Sequence, residues 1–263
     1  MSAEHGENIF VLKEIAYDVD GRRLVGPISL ELGRARVYGL MGHNGSGKST
    51  LVKLLARQLR PSSGMLSFQC KSADDWRVRD FARAVAYLPQ TPPSAAELTV
   101  REVVSFGRYP WHGALGRFTA NDAQHVEEAL RLTDMQVMAD RPMGELSGGE
   151  RQRAWVAMLL AQNAGVMLLD EPTSALDIAH QVEVLGLVRD LSRQRNLCVV
   201  IVLHDPNLAA RYCDEIIALR SGSLQTRGVP EEIMNPTALS DIFGVGMDIV
   251  PNPRSGLPIS FVQ

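Results

Sequence analysis

Hydrophobic and polar residues along the chain follow two periods, one typical of strands and one typical of helices. Short apolar or alternating runs recur between segments that have helical spacing. These runs predict strands at Ile9–Val19, Ile28–Leu32, Val37–Met41, Ala84–Leu88, Val166–Leu169 and Leu197–Leu203, with one more after the turn at 61–64. Because strands and helices alternate from end to end, the pattern predicts an α/β fold.

Helices are predicted where the apolar spacing changes to three and four residues. They cover Lys48–Leu59, Ile178–Gln194 and almost all of 99–161. In the last of these segments, Thr99/Glu102 and Thr119/Asp122 have the spacing of a capping box, in which a hydroxyl and an acidic side chain satisfy the first turn of a helix. Two helices are therefore expected to begin at these threonines.

The predicted organisation is a single domain over residues 1–263. Residues 1–95 and 162–263 would form its sheet core, and 96–161 would be a helical subdomain inserted into that core. Neither a linker nor an internal repeat interrupts the pattern, and only short elements are expected after residue 203.

Charge and cysteine content narrow the class of protein. The 27 lysines and arginines against 30 acidic residues give a net charge of -3, which does not favour nucleic acid as a partner. Cys70, Cys198 and Cys213 form no CxxC pair, which argues against a disulfide framework and against a zinc site. These features fit a globular protein in a reducing compartment.

The N-terminal residues 1–8 are polar, so they predict no secretory signal. The longest apolar runs, Ala154–Ala161 and Leu197–Leu203, are far shorter than the roughly 20 residues that a membrane-spanning helix needs. We therefore expect a cytoplasmic protein that, if it serves a membrane, docks onto a protein embedded there.

The strongest chemical signal is a match to GxxxxGK[ST] between a predicted strand and a predicted helix. It consists of Gly42, His43, Asn44, Gly45, Ser46, Gly47, Lys48, Ser49 and Thr50. Glycines allow backbone N–H groups to surround phosphate oxygens, Lys48 adds a mobile positive charge, and the Ser49 hydroxyl can bind Mg²⁺. The segment therefore predicts a phosphate-binding loop, or P-loop, for ATP.

Two carboxylates, Asp170 and Glu171, end the apolar strand Val166–Leu169. Such a segment alone is more often a buried strand with a polar end. In a chain that has a P-loop, Asp170 is a candidate to hold Mg²⁺ and Glu171 a candidate to orient or deprotonate the attacking water.

The segment from Leu146 through Ser147, Gly148, Gly149 and Glu150 opens another predicted helix. Ser147 and Glu150 have capping-box spacing, which is a purely structural explanation. The same geometry exposes backbone N–H groups at the helix start, where the dipole favours an anion. The chain therefore has a second candidate phosphate site.

Six features follow one another in the order seen in ABC transporter ATPases: the P-loop, Gln90 after a strand, Leu146–Glu150, Asp170–Glu171, Ser174–Asp177 and His204 after another strand. The chain closely resembles this family over nearly its whole length. The resemblance implies an α/β fold of the ABC ATPase type, with a P-loop core, an antiparallel β subdomain and an inserted α-helical subdomain.

The resemblance also assigns roles to single residues. It implies a head-to-tail homodimer in which each ATP lies between the P-loop of one protomer and the Ser147–Glu150 signature of the other. Gln90 would contact Mg²⁺ and sense a permease, Asp177 would lie at the dimer interface, and His204 would contact the γ-phosphate. Lys48, Glu171 and His204 would then be the catalytic residues, with Mg²⁺ bound by Ser49, Gln90 and Asp170.

One position departs from the family pattern. An aromatic residue upstream of the P-loop often stacks on adenine in this family, whereas the corresponding position here is Val19, with Tyr17 nearby. Which of the two contacts adenine stays open.

A finer resemblance concerns the cargo. Gly107–Phe118 and Asp177–Gln181 look like the ATPase subunit of ferric hydroxamate (ferrichrome-type) importers. This implies a peripheral protein on the cytoplasmic face of the inner membrane, with an integral membrane permease as its partner and a siderophore-binding protein as an indirect one. Trp111 and its aromatic neighbours would either form a docking surface or pack in the core.

Other functions remain open at this point. The cargo could be a catecholate chelate, heme or cobalamin. A soluble ABC ATPase acting on ribosomes or DNA, or a regulatory subunit without turnover, are alternatives from other classes. A single P-loop and the absence of long heptads argue against the soluble ATPase that acts on ribosomes or DNA. Glu171 and His204 argue against the regulatory subunit without turnover.

Overall fold

The computed structural model describes residues 8–113, 116–254, 256 and 258–263. Residues 1–7 of the polar N-terminal segment, and Ala114 and Leu115 of the cargo-related segment, lie outside the described residues. The chain forms two compact units, one from Met1–Asp75 with Ser192–Gln263 and one from Trp76–Leu191. The division into 1–95, 96–161 and 162–263 stays a prediction.

Twelve strands are found in the described residues. They are β1 (Phe10–Val19), β2 (Arg22–Leu32), β3 (Arg36–Met41), β4 (Ser63–Phe68), β5 (Lys71–Ser72), β6 (Val85–Leu88), β7 (Val166–Leu169), β8 (Cys198–Val202), β9 (Glu215–Arg220), β10 (Ser223–Gly228), β11 (Met247–Pro251) and β12 (Pro258–Val262).

Ten α-helices are found in the same part of the chain. They are α1 (Lys48–Leu55), α2 (Val78–Ala84), α3 (Val100–Phe106), α4 (Tyr109–His112), α5 (Ala120–Leu132), α6 (Gly148–Ala161), α7 (Ile178–Arg195), α8 (Pro206–Tyr212), α9 (Pro230–Ile233) and α10 (Pro236–Phe243).

The first unit contains an antiparallel sheet in the order β2-β1-β4-β5. Its buried side includes Phe10 and Phe68, which are paired residues on β1 and β4 and whose ring centroids are 4.9 Å apart. In the same unit β10, β9, β3 and β8 are neighbours in that order, and β3 pairs in parallel with both β8 and β9. All five residues of β8 are buried, which explains its continuous apolar sequence.

The second unit combines the parallel pair β6 and β7 with a group of helices. Helices α3, α5 and α6 pack on one another, and every residue of β7 is buried. Both predicted capping boxes are present at Thr99/Glu102 and Thr119/Asp122. The expectation of an α/β fold with an antiparallel sheet and a helical segment is confirmed.

Helix α1 ends at Leu55, four residues before the predicted end. Arg57 has a left-handed backbone, with φ at 54°, and the Gln58 N–H donates to the Lys53 carbonyl. This reversed last turn satisfies the final carbonyls of the helix and stops it. The apolar pattern continued to Leu59, but the left-handed residue could not be read from that pattern.

A buried ion pair joins the segment after α3 to the first turn of α5. Arg108 Nε lies 2.9 Å from Asp122 Oδ1, and the two side chains are 2% and 6% exposed. Burial alone would raise the pKa of Asp122, but hydrogen bonds from Thr119 and Arg108 lower it to about 2. The ionised pair therefore holds two segments of the second unit together.

We predict that Asp122→Ala lowers the free energy of unfolding by about 3–5 kcal/mol, because it leaves the Arg108 charge buried without its partner. Chemical denaturation measures the change, and Arg77→Ala is the control because Arg77 pairs with Asp80 while largely exposed. The control should cost much less. Equal losses of unfolding free energy in Asp122→Ala and Arg77→Ala would contradict this role.

In the wild type, the contribution of Asp122 to stability should be present above its ordinary pKa and be lost as pH falls from about 4 towards 2.

Candidate functional site

The loop between β3 and α1 has the backbone of a phosphate cradle. Gly42, Gly45 and Gly47 all adopt positive φ angles, at 141°, 78° and 97°. A side chain at Gly42 would meet the Leu219 carbonyl and come within 2.6 Å of Ser46 Oγ. Glycine is therefore required there by space as well as by φ.

Ser46 and Lys48 give this loop its polarity. Ser46 is fully buried, and its hydroxyl has no hydrogen-bond partner among the residues that the structure describes. Lys48 is also buried, and its Nζ donates to the carbonyls of Gly42 at 2.8 Å and His43 at 3.0 Å. A buried hydroxyl without a partner is costly. An unpaired hydroxyl and an ammonium group in one glycine-rich loop fit a bound phosphate chain.

Helix α1 begins at Lys48, and no side chain caps its first turn. The N-cap is Gly47, which has no side chain to offer. The first backbone N–H groups of a helix have no partner inside the helix, and the dipole makes this end attractive to anions. The start of α1 is therefore a candidate part of the same phosphate site.

His204 lies at the same sheet edge as the P-loop. Strands β3 and β8 run in parallel, with Leu40 opposite Val202, and the Leu203 N–H donates to the Leu40 carbonyl at 3.2 Å. His204 follows directly and is exposed. The carboxyl ends of neighbouring parallel strands therefore bring His204 to the edge from which the P-loop departs.

In the second unit, the end of β7 carries the two predicted carboxylates. Asp170 is 2% exposed, and its N–H donates to the Leu88 carbonyl at 3.0 Å. Burial raises the pKa of Tyr87 to about 12, with a smaller effect in the same direction from the Asp170 charge. Asp170 is therefore a buried carboxylate at the edge of a parallel strand pair.

Gln90 and Glu171 contact each other. Gln90 follows β6, Glu171 follows β7, and Gln90 Nε2 donates to Glu171 Oε2 at 2.7 Å. Glu171 has a left-handed backbone with φ at 51°, and its carbonyl accepts bonds from the Ser174 N–H and hydroxyl. The two residues predicted to act on Mg²⁺ and on water thus form one hydrogen-bonded pair.

The segment Ser147–Glu150 forms the capping box that its spacing predicted. Glu150 Oε2 accepts from the Ser147 N–H at 2.8 Å, and Ser147 Oγ accepts from the Glu150 N–H at 3.3 Å. Hydrogen bonds to the backbone and side chain of Ser147 hold the pKa of Glu150 below its usual range. Ser147 and Gly148 are exposed, so the first turn of α6 can be approached from solvent.

Asp177 caps the neighbouring helix α7 by binding His180, which the sequence analysis noted only as a member of the segment Asp177–Gln181. Asp177 Oδ1 accepts from the His180 N–H at 2.9 Å and from its ring Nδ1 at 2.8 Å. A side chain at Gly149 would lie within 3.0 Å of three atoms of the His180 ring. The three-residue spacing of Asp177 and His180 signals the cap, but nothing in the sequence signals the contact with Gly149.

The aromatic segment after α3 divides into anchored and exposed rings. Trp111 donates its Nε1–H to the Gln162 carbonyl at 2.8 Å, and the guanidinium carbons of Arg83 and Arg108 lie 5.0 and 4.9 Å from the centre of its ring. These contacts anchor Trp111, although the residue is still 37% exposed. Tyr109 and Phe118 are 54% and 48% exposed.

The predicted site residues therefore fall into two sets. The P-loop residues 42–50 and His204 lie in the first unit, whereas Gln90, Ser147–Glu150, Asp170, Glu171 and Asp177 lie in the second. In the described ranges, no group of three or more His, Cys, Asp and Glu side chains is arranged to hold a metal ion. On β1, in the first unit, Val19 is exposed and Tyr17 half-buried, which does not decide between them as the adenine contact.

Comparison with known families settles the class of the protein. Residues 25–174, more than half of the chain, match the family model described as ABC transporter. The chain belongs to the ABC transporter family. This ABC ATPase binds ATP and hydrolyses it, as the P-loop and the paired carboxylates predicted.

Three curated relatives are similar along almost their whole length. The achromobactin transport ATP-binding protein of Dickeya dadantii is 39% identical, covering 94% of this chain and 92% of the relative. The iron(3+)-hydroxamate import ATP-binding protein of Bacillus subtilis is 37% identical, covering 96% and 94%. The hemin import ATP-binding protein of Pseudomonas aeruginosa is 40% identical, covering 91% and 94%.

A solved structure supports the same fold. The ABC ATPase superimposes with a TM-score of 0.84 on a chain from a structure described as a metal-chelate type ABC transporter in an inward-facing conformation. The two chains are 25% identical, and the match covers 98% of this one and 97% of the other. Within the described residues, no helix combines the length and apolar character needed to cross a membrane.

We predict that Lys48→Ala weakens ATP binding by about 10- to 100-fold, because it removes the ammonium group from a phosphate site. Calorimetry on the purified protein measures the dissociation constant. Lys53→Ala is the matched control, because Lys53 lies on the same helix and is exposed. An unchanged affinity in Lys48→Ala would remove this lysine from the site.

Proposed function

We propose that the ABC ATPase energises the import of iron(III)-hydroxamate siderophores across the cytoplasmic membrane. The observation that carries the proposal is the near full-length similarity to the iron(3+)-hydroxamate import protein of Bacillus subtilis. The residues Gly107–Phe118 and Asp177–Gln181, which resemble ferric hydroxamate importers, support the same cargo. The relatives named for achromobactin and hemin make those cargoes the alternatives to be tested.

The proposed reaction transfers the γ-phosphoryl group of ATP to water. A water oxygen forms a bond to the γ-phosphorus, the bond from that phosphorus to the bridging oxygen breaks, and ADP leaves. Glu171 accepts the proton of the attacking water, and Lys48 stabilises the charge on the phosphoryl oxygens. The hydrogen bond from Gln90 supports this role, because it fixes the direction of the Glu171 carboxylate.

Magnesium is proposed as the metal cofactor. The donors assigned to it are the Ser49 hydroxyl, the Gln90 amide oxygen and the Asp170 carboxylate, and hard oxygen ligands of this kind are what Mg²⁺ prefers. Asp170 suits the role because it is a nearly buried carboxylate at a strand end. When bound, the ion would neutralise charge on the phosphate oxygens.

The active unit is proposed to be a homodimer with shared sites. A single P-loop would bind one face of ATP, while the signature at Ser147–Glu150 offers a second anion site later in the chain. A head-to-tail dimer places each signature on the ATP of the other protomer, with Asp177 at the interface and His204 near the γ-phosphate. The solvent-exposed start of α6 supports this arrangement, because a partner can reach it.

The proposed location is the cytoplasmic face of the inner membrane, where the ATPase would bind an integral permease and, through it, work with a siderophore-binding protein. The exposed rings of Tyr109 and Phe118 are the proposed contact with the permease. Aromatic side chains are enriched in such interfaces because they bury much surface. The contacts around Trp111 would keep this surface rigid.

We expect Glu171→Gln to slow ATP hydrolysis by about 10²- to 10⁴-fold, the usual effect of losing a positioned general base. Because binding does not need the base, the variant should retain ATP and accumulate as an ATP-bound dimer. A phosphate-release assay and sedimentation measure the two effects. Glu97→Gln makes the same change at an exposed glutamate and should behave as wild type. Near-normal turnover by Glu171→Gln would exclude it as the base.

The cargo is tested by deleting the gene in a strain that has no second hydroxamate importer. Uptake of radiolabelled iron from a ferric hydroxamate should be lost, while uptake from a catecholate chelate and from heme should continue. The wild-type gene should restore uptake, and Lys48→Ala should not, because transport needs ATP binding. Loss of heme or catecholate uptake instead would reassign the cargo, but the assignment of the protein as an ATPase would stand.

A further inference from the structure

The backbone conformation does not explain why the second residue of α6 in the signature, Gly149, is a glycine. Gly149 lies in the first turn of α6, where φ is negative and alanine would stabilise the helix by up to about 1 kcal/mol relative to glycine. Gly149 is nevertheless buried. What excludes a side chain there is the imidazole of His180, since a Cβ would lie 2.6 Å from Cγ and 3.0 Å from Nε2 of the ring.

The His180 ring is itself fixed in place. A carboxylate only accepts hydrogen bonds, so the ring Nδ1 carries a proton and donates to Asp177 Oδ1 at 2.8 Å. The same oxygen accepts from the His180 backbone N–H. Two bonds to one atom set the ring direction, and the opposite edge of the ring faces Gly149.

The loop before α7 is held against the signature as well. Gln181 Nε2 donates to the carbonyls of Thr173 at 3.2 Å and Leu176 at 3.0 Å. A side chain at Gly148 would lie 3.2 Å from Leu176 Cδ2. Both signature glycines thus face the segment that runs from Thr173 to His180.

We propose that His180 is a positioning residue for the signature, because its ring, fixed by Asp177, packs on Gly149 and sets the place of the first turn of α6. The inference rests on the proposed function, in which this turn binds the ATP of the partner protomer. A displacement of about 1 Å at such a site can cost about 100-fold in rate. His180 would therefore transmit the position of Asp177, at the dimer interface, to the phosphate-binding turn.

The test uses the Glu171→Gln background, in which ATP-driven dimers can be followed by sedimentation. His180→Asn retains an amide that can donate to Asp177, but it loses the ring that touches Gly149. It should weaken the ATP-bound dimer by about tenfold. The melting temperature should not change. The affinity for ATP, measured at protein concentrations too low for dimerisation, should not change either. His125→Asn makes the same substitution on α5 as the matched control.

A reciprocal pair of substitutions separates packing from other effects. Gly149→Ala should weaken the dimer by about 100-fold, because its methyl group meets the ring. Adding His180→Ala creates room for that methyl group and should recover at least about tenfold of the loss. The positioning role would be overturned if His180→Asn left the stability of the ATP-bound dimer unchanged, or if the double variant recovered none of the loss.

The outcomes also separate this inference from the function on which it rests. If Glu171→Gln alone forms no ATP-bound dimer, the shared site of the proposed function is wrong and the role of His180 falls with it. If that dimer forms and the changes at His180 have no effect, only the positioning role is wrong.

Discussion

Unsatisfied backbone N–H groups at helix starts are the constraint on which this molecule depends. Each helix leaves its first N–H groups without partners inside the helix, and most helices solve this with a side chain. Helices α3, α5 and α6 do so with complete capping boxes, whereas α1 begins after Gly47 without any side-chain cap. Among the described helices, α2, α4 and α9 also lack a side-chain cap, but each has seven residues or fewer, and α1 is the uncapped helix that follows the P-loop. The start of such a helix suits an anionic ligand, because the helix dipole favours negative charge there.

The same constraint explains which features the sequence predicts well. The capping boxes at Thr99, Thr119 and Ser147 are local, so a hydroxyl and an acidic residue three positions apart are enough to find them. The buried strands β7 and β8 are equally clear, because a continuous apolar run fits a strand covered on both faces. Family motifs then supply the candidate site residues, which lie at the ends of these elements.

Features that depend on a left-handed backbone residue, or on contacts between distant residues, were not predictable in this way. The apolar pattern extended α1 to Leu59, but a left-handed Arg57 ends the helix earlier. The aromatic character of Trp111 was compatible with either docking or packing, and its contacts with Arg83, Arg108 and the Gln162 carbonyl show that it is anchored. The glycine at 149 read as a family motif, whereas its physical reason is the ring of His180.

The position of the tryptophans has a spectroscopic consequence. All three of them, Trp76, Trp111 and Trp155, belong to the compact unit Trp76–Leu191, while the P-loop belongs to the other unit. Tryptophan emission therefore reports on the unit that carries the signature segment and the candidate catalytic carboxylates. With ATP bound at the P-loop, a change in emission would measure how far nucleotide binding is felt in the second unit, without any attached dye. Trp111 has two guanidinium groups within about 5 Å of the centre of its ring, so its emission would respond to a shift of the helices around it.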